Sequence, residues 1–245
     1  YMIKDNLKDN KLKKFTNSGI KAIKSGKVGV ITLAGGQGTR LGLNAPKGTF
    51  CLDTTPPISL FEILCNYIKN FSLKFNVSIP WFIMTSTNNY FDTINFFERN
   101  NYFGYDKNDI FFFTQDNLPV INIDKKLVLS EIYKVNFASN GNGNLFTALK
   151  KSNLIKTIGY TINSKCKVGS KTLFKKSPSD KSWVFAIKNG KPTIIDCEMF
   201  TEEISELTDN KGNYLYRETN MLAHLFHIDA ITKMSTINLP YHRAF

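Results

Sequence analysis

The amino-acid sequence predicts an α/β fold of the Rossmann-like kind, with a mixed, mainly parallel central sheet flanked by helices and a smaller strand-rich region. Three observations carry this expectation. Residues 28–33 form a short, β-branched apolar run that breaks into a glycine-rich loop, the pattern of a buried strand entering a turn. Strand-like and helix-like segments then alternate through residues 81–85, 90–99 and 110–113, as in a sheet built from strand–helix–strand units. The glycine loop, Thr85-Ser86 and Gln115 fall at the carboxyl ends of those strands, where such sheets bind ligands.

The composition sets bounds on this picture. A chain of 245 residues with a 42% hydrophobic share buries a real core and is too apolar for disorder. Cys51, Cys65, Cys166 and Cys197 show no C-x-x-C spacing, which points to reduced thiols rather than a zinc clip or a disulfide framework. No apolar run is long enough for a membrane span, and the Lys-rich start lacks a signal-peptide core. The expectation is therefore a soluble, cytoplasmic protein with no membrane partner. The net charge is +12, but the lysines are scattered among asparagines. A basic cleft for an anionic substrate is expected, and no nucleic-acid partner.

Taken in order, residues 1–27 read as a Lys/Asn-rich, partly helical lead-in, and residues 28–245 as one catalytic domain. Phe50-Cys51-Leu52 is a short extended piece, followed by the Thr54-Thr55-Pro56-Pro57 loop. Ser59 and Glu62 form a capping box that starts a helix. Along it Leu60, Leu64, Tyr67 and Phe71 make one apolar stripe, with Phe61 and Ile68 beside it, and these side chains are expected in the core. Residues 81–85, 90–99 and 110–113 follow as strand, helix and strand. Residues 120–123 and 127–129 suggest a hairpin. The segment 139–144 is a second glycine loop ahead of a helix at 145–151, and a helix N-terminus favours anions. Residues 158–162 read as another core strand. Strands are expected at 167–174, 183–188 and 193–196, the last two joined across Asn189-Gly190. Helices are expected near 202–207 and 219–226. The second would carry His224 and His227, read as packing residues because no carboxylate or cysteine accompanies them.

The chemistry is concentrated in Leu33-Ala34-Gly35-Gly36-Gln37-Gly38-Thr39-Arg40-Leu41-Gly42 and in Pro46-Lys47-Gly48. Glycines let successive backbone N–H groups turn toward one point and let a ligand approach the main chain. Arg40 and Lys47 beside such a nest suit a polyphosphate. The dinucleotide fingerprint fails because position 41 is Leu, and the P-loop fails because Lys47 precedes Gly48.

The whole string resembles the UDP-sugar pyrophosphorylase family, in its eukaryotic UDP-N-acetylglucosamine type. Ile79-Pro80-Trp81-Phe82-Ile83-Met84-Thr85-Ser86, Tyr102-Phe103-Gly104, Phe112-Phe113-Thr114-Gln115-Asp116-Asn117-Leu118-Pro119 and Asn140-Gly141-Asn142-Gly143 are similar to further segments of that family. The likeness runs from about Gly19 to Tyr160 and thins afterwards. It implies a nucleotidyltransferase sheet and a uridylyl transfer from UTP to N-acetylglucosamine 1-phosphate, with pyrophosphate released and Mg²⁺ or Mn²⁺ assisting. It further implies that Leu33, Ala34, Gly35 and Gly36 line the nucleotide, Gln115 pairs with the uracil edge, and Gly141 touches the base. Asn142 would reach the sugar, Asp196 would be a conservative sugar-side remnant, and Arg40 and Lys47 would hold the triphosphate. A pyrophosphorylase for glucose or galactose 1-phosphate, or a catalytically weak UTP-binding protein, is the alternative.

Departures from the family fall on the sugar and metal side. After Asn163 the family's metal-binding V-D-N is replaced by Ser164-Lys165-Cys166, as if a segment were missing between 163 and 164, so no metal ligand is assigned. The chain also stops short of the family's later phosphate-binding lysine. Trp183 stands near where the family has a glycine facing the N-acetyl group.

Overall fold

The predicted glycine loop leaves the carboxyl end of a three-stranded parallel sheet. The computed structural model describes residues 9–151, 167–180, 182–196 and 199–237. These fall into two compact units, one within 1–163 and 231–245, the other within 164–230.

In the first unit α1 (Asp9–Lys24) precedes β1 (Val30–Leu33). A small antiparallel pair, β2 (Cys51–Leu52) and β3 (Ile58–Ser59), leads into α2 (Leu60–Phe75). Then come β4 (Trp81–Thr85), α3 (Tyr90–Arg99) and β5 (Ile110–Thr114). The sheet order is β1-β4-β5, all parallel, with Val30 beside Trp81 and Trp81 beside Ile110. Every residue of β4 is buried, as expected of a central strand in a sheet covered on both faces.

Alternation along β4 sends its side chains to both faces of the sheet. Trp81 and Ile83 meet Phe61, Cys65, Ile68 and Phe97 from α2 and α3, while Phe82 stacks on Phe111 with centroids 5.1 Å apart. Phe97 is the hub of the first group. Its ring lies 5.0–5.5 Å from those of Phe61, Phe112, Phe103 and Trp81, edge to face in each case, the arrangement aromatic quadrupoles favour. To bring Phe103 there, Asn101, Tyr102 and Phe103 all adopt positive φ before Gly104. That costs roughly 1–2 kcal/mol per non-glycine residue, offset by packing the half-buried Tyr102 and Phe103 rings against the core. The Tyr-Phe-Gly segment is thus a left-handed turn that closes the core.

The capping box is half realised: Ser59 Oγ accepts from the Glu62 N–H at 3.1 Å. The apolar stripe of α2 is corrected by one residue. Phe61, Cys65 and Ile68 face the sheet, whereas Leu64, Tyr67 and Phe71 are exposed, Tyr67 at 65%. The helix is apolar on two adjacent faces, and periodicity alone does not choose between them. The cap, and the bond from the Leu60 N–H to the Phe50 carbonyl at 3.0 Å, set the phase.

Beyond β5 the chain forms β6 (Asn117–Pro119), β7 (Leu129–Glu131), β8 (Lys134–Val135) and β9 (Phe137–Ser139). β6 pairs with β9 and β7 with β8, both antiparallel. The expected 120–129 hairpin is present as bonds from Asn122 N–H to Lys126 O and Val128 N–H to Val120 O. α4 (Leu145–Lys151) follows. The strand expected at 158–162 lies outside the described residues.

The second unit is the smaller strand-rich region. It contains β10 (Val168–Phe174), β11 (Val184–Lys188), β12 (Lys191–Ile195), α5 (Glu202–Glu206) and β13 (Glu218–Phe226), after which α6 (Ile228–Met234) begins. The order is β10-β13-β11-β12, with all pairs antiparallel. Asn189 and Gly190, both at positive φ, turn the β11–β12 hairpin as predicted. The helix expected at 219–226 is instead β13, the strand between β10 and β11. Its leucines, alanine and methionine are good helix formers, but propensity is a weak prior, and pairing with β10 along the strand and with β11 at Thr219 overrides it. His224 and His227 therefore do not share a helix. His224 Nδ1 meets Ser170 Oγ at 2.8 Å and His227 Nδ1 lies 3.2 Å from Asp229.

Candidate functional site

Three strand ends converge on the glycine loop. β1 stops at Leu33, but the Ala34 N–H still reaches the Met84 carbonyl at 2.7 Å, so the ladder extends one residue before the loop departs. From there the loop folds back on itself: the Gly38 N–H donates to Ala45 O at 2.9 Å and the Lys47 N–H to Gly36 O at 3.0 Å. A Cβ on Gly38 would stand 2.8 Å from that of Leu43, so only glycine fits this closure. Gly48 is required for a different reason. The Phe61 ring fills the place of its missing Cβ, locking Pro46-Lys47-Gly48 onto α2. Gly36, by contrast, is exposed, with open space where a side chain would stand. That open space leaves room for a ligand to approach the loop.

Arg40 sits on a single 3-10 turn, residues 39–41, and Lys47 begins a second, residues 47–49. Both are exposed, and among the described residues neither is in a salt bridge. Two unneutralised cations on a loop that presents glycine backbone make an anion-binding surface.

Gln115 is the buried member of the group, at 5% exposure. Its N–H continues the sheet by bonding to Thr85 O at 2.9 Å. Its side-chain amide lies against Gly35, with Nε2 in the space a Cβ there would need. Oε1 is buried and has no hydrogen-bond partner among the described residues. A buried carbonyl left unpaired costs about 1–3 kcal/mol, which a ligand N–H would recover.

The second glycine loop is tied to the same place. The Asp116 N–H donates to Asn144 Oδ1 at 2.7 Å, and Asn144 Nδ2 donates to Asp116 Oδ2 at 3.2 Å. The Asn140 N–H reaches Asp116 O at 2.9 Å. Gly141, at φ +76°, and Asn142 are exposed beside this clamp. Lys151 on α4 completes it with Nζ 2.8 Å from both Asp116 oxygens. That ammonium, with the Asn144 amide, holds the Asp116 carboxyl below its ordinary range against the opposing pull of burial.

Of the residues expected at the site, Leu33, Ala34, Gly35, Gly36, Arg40, Lys47, Gln115, Gly141 and Asn142 all lie at this end of the first unit. Asp196 is half-buried just after β12 in the second unit. Two buried asparagines were missing from the sequence reading. Asn144 serves Asp116. Asn89 is fully buried, and its Nδ2 donates to Ala34 O at 3.0 Å and Gly36 O at 3.4 Å. Its Oδ1 accepts from Ser86 N–H at 2.8 Å and Ser86 Oγ at 2.9 Å. The available signal was a run of polar residues after a fully apolar strand, too common to single out one asparagine.

Among the described residues no three His, Cys, Asp or Glu side chains converge as a metal site, and no helix is long and apolar enough to cross a membrane.

Comparison with known proteins places the chain. The pattern of the UTP–glucose-1-phosphate uridylyltransferase family matches residues 3–161. A Schizosaccharomyces pombe protein named "Probable UDP-N-acetylglucosamine pyrophosphorylase" is 31% identical over 93% of the chain and 56% of its own length. The Saccharomyces cerevisiae UDP-N-acetylglucosamine pyrophosphorylase is 29% identical over 92% of the chain and 54% of its own. The Trypanosoma brucei uridine diphosphate N-acetylglucosamine pyrophosphorylase, solved with an inhibitor, superposes with a TM-score of 0.79 at 25% identity. It covers 91% of the chain and 52% of that structure. The chain thus spans little more than half the length of the curated relatives it matches.

Proposed function

Because the chain belongs to the UTP–glucose-1-phosphate uridylyltransferase family, we propose that it binds UTP on the glycine loop. From there it transfers the uridylyl group to a sugar 1-phosphate. The observation that carries the base assignment is the buried, unpartnered Oε1 of Gln115. Uracil offers an imide N–H to such an acceptor, whereas the corresponding ring nitrogen of cytosine has no hydrogen to give. Gly35, lacking a side chain, lets the amide lie flat against the loop, and Gly141 lines the base from the second loop.

The phosphates would follow the exposed backbone from Gly35 and Gly36 toward Arg40 and Lys47. A phosphate oxygen of the sugar 1-phosphate attacks the α-phosphorus. The bond to the oxygen bridging the α- and β-phosphorus breaks, and pyrophosphate leaves with the added negative charge. Two polyanions must meet for this, so positioning and charge neutralisation supply most of the acceleration. Arg40 and Lys47 offset the charge developing on the leaving group. The divalent cation implied by the family resemblance finds no ligand cluster among the described residues, and no step is assigned to it.

N-acetylglucosamine 1-phosphate is the proposed acceptor, supported by the names of the relatives matched over most of the chain. Asn142, in the second glycine loop of the first unit, is the proposed sugar-side residue. A pyrophosphate-release assay with UTP, Mg²⁺ and the 1-phosphates of N-acetylglucosamine, glucose and galactose tests this. Fastest release with the N-acetylated sugar is expected. Faster release with glucose or galactose reassigns the acceptor, and no release with any of the three refutes uridylyl transfer.

A further inference from the structure

We propose that Asn89 is a positioning residue for nucleotide recognition, a clamp that fixes the glycine loop relative to Gln115. The proposal rests on the UTP reading above and extends it to a residue that touches no ligand. Asn89 uses all four of its side-chain hydrogen-bonding capacities across the ends of two strands. The amide nitrogen holds two alternate carbonyls of the loop, Ala34 O and Gly36 O, at 3.0 and 3.4 Å. The amide oxygen is held in turn by the backbone and hydroxyl of Ser86, at 2.8 and 2.9 Å. Ser86 follows β4, and its backbone nitrogen lies 3.4 Å from the missing Cβ position of Gly35.

The carbonyls of residues 34 and 36 are thus drawn to one point beneath the loop, on either side of Gly35. Pulling these two carbonyls inward aims the intervening backbone outward and seats Gly35 against the Gln115 amide. The same pull fixes Gly36, whose carbonyl also receives the Lys47 N–H at 3.0 Å. One side chain therefore sets the base wall and the anchor of a phosphate-binding lysine together. Backbone bonds alone leave the loop free at Gly35. Residues that pre-organise a site through such buried contacts control it at the scale of tenths of an ångström.

The clamp predicts a specific pattern in the intact protein. Asn89→Ala speeds amide hydrogen exchange at Gly38 and Lys47, whose N–H groups close the loop, more than it speeds exchange in β4. It also lowers kcat/KM for UTP by about tenfold to a hundredfold, mainly through KM, and leaves KM for the sugar 1-phosphate unchanged. Ser86→Ala removes one of the two bonds that hold the Asn89 oxygen and shows the same pattern at smaller size, which covers failure of Asn89→Ala to fold. Ile68→Ala, a core truncation in α2, supplies the control for general destabilisation and keeps the wild-type KM for UTP. Loop exchange and UTP kinetics in both variants that match Ile68→Ala would overturn the clamp. The exchange measurement needs no nucleotide. If the wild-type protein fails to use UTP, the functional reading falls while exchange still decides whether Asn89 holds the loop.

Discussion

Gln115 lays its side-chain amide over Gly35, filling the volume that any Cβ at position 35 would occupy. The two residues extend from the outer strands of the sheet, β1 and β5, and meet above the end of β4 between them. This contact makes a glycine loop and a glutamine into one wall of a site, and it dictates the first prediction. Gly35→Ala must displace the amide or the loop. Affinity for UTP should fall by about tenfold or more, as expected when a hydrogen bond worth roughly 1–1.5 kcal/mol is lost. Overpacking lowers stability by about 1–3 kcal/mol. Titration calorimetry and denaturant unfolding read the two effects separately.

Lys47 is exposed and unpaired among the described salt bridges, while its backbone is fixed to Gly36. Lys47→Ala should therefore leave the fold intact and reduce turnover by about 10²–10³-fold, the usual effect of removing one group that stabilises transition-state charge. Steady-state pyrophosphate release measures it, and an unchanged kcat would remove Lys47 from the reaction.

The Asp116 clamp makes stability depend on pH. Its folded pKa lies below the ordinary 3.8 because of the Lys151 ammonium and, after it, the Asn144 amide. Stability from the clamp is then fully present above the unfolded value and is lost as pH falls through the lower folded value. The pair is partly exposed, with side-chain exposures of 63% and 35%, so the contribution is about 1 kcal/mol or less. The stability gap between wild type and Asp116→Asn should hold steady from pH 7 to about 5 and narrow below that. A gap that widens on acidification would contradict the assignment.

The fold was legible where local pattern and tertiary role agree. The uninterrupted apolar run of Trp81-Phe82-Ile83-Met84 can only be a central strand or a buried helix, and the Pro80 before it and polar Thr85-Ser86 after it made it short enough for a strand. The glycine loop was legible because Gly35, Gly38 and Gly48 each answer a close approach. Two readings failed where tertiary structure decides between local options. Residues 219–226 had helical composition but lie between two strands, and α2 had two apolar faces of which the sheet covers one. Asn89 was illegible for a third reason. Its role is a set of bonds to the carbonyls of residues 34 and 36, more than fifty positions away in sequence, and no spacing rule encodes such a contact.

The central claim is that Gln115 reads the uracil edge on this loop, and nucleotide choice tests it most directly. Turnover with UTP and with CTP should be compared in the wild-type protein and in Gln115→Ala, with the same sugar 1-phosphate. The wild type should prefer UTP by about 10²-fold or more, as a site built around a specific hydrogen bond does. Gln115→Ala should lose most of that preference, chiefly by losing activity toward UTP. Equal use of the two nucleotides by the wild type, or an undiminished preference in Gln115→Ala, would contradict the assignment.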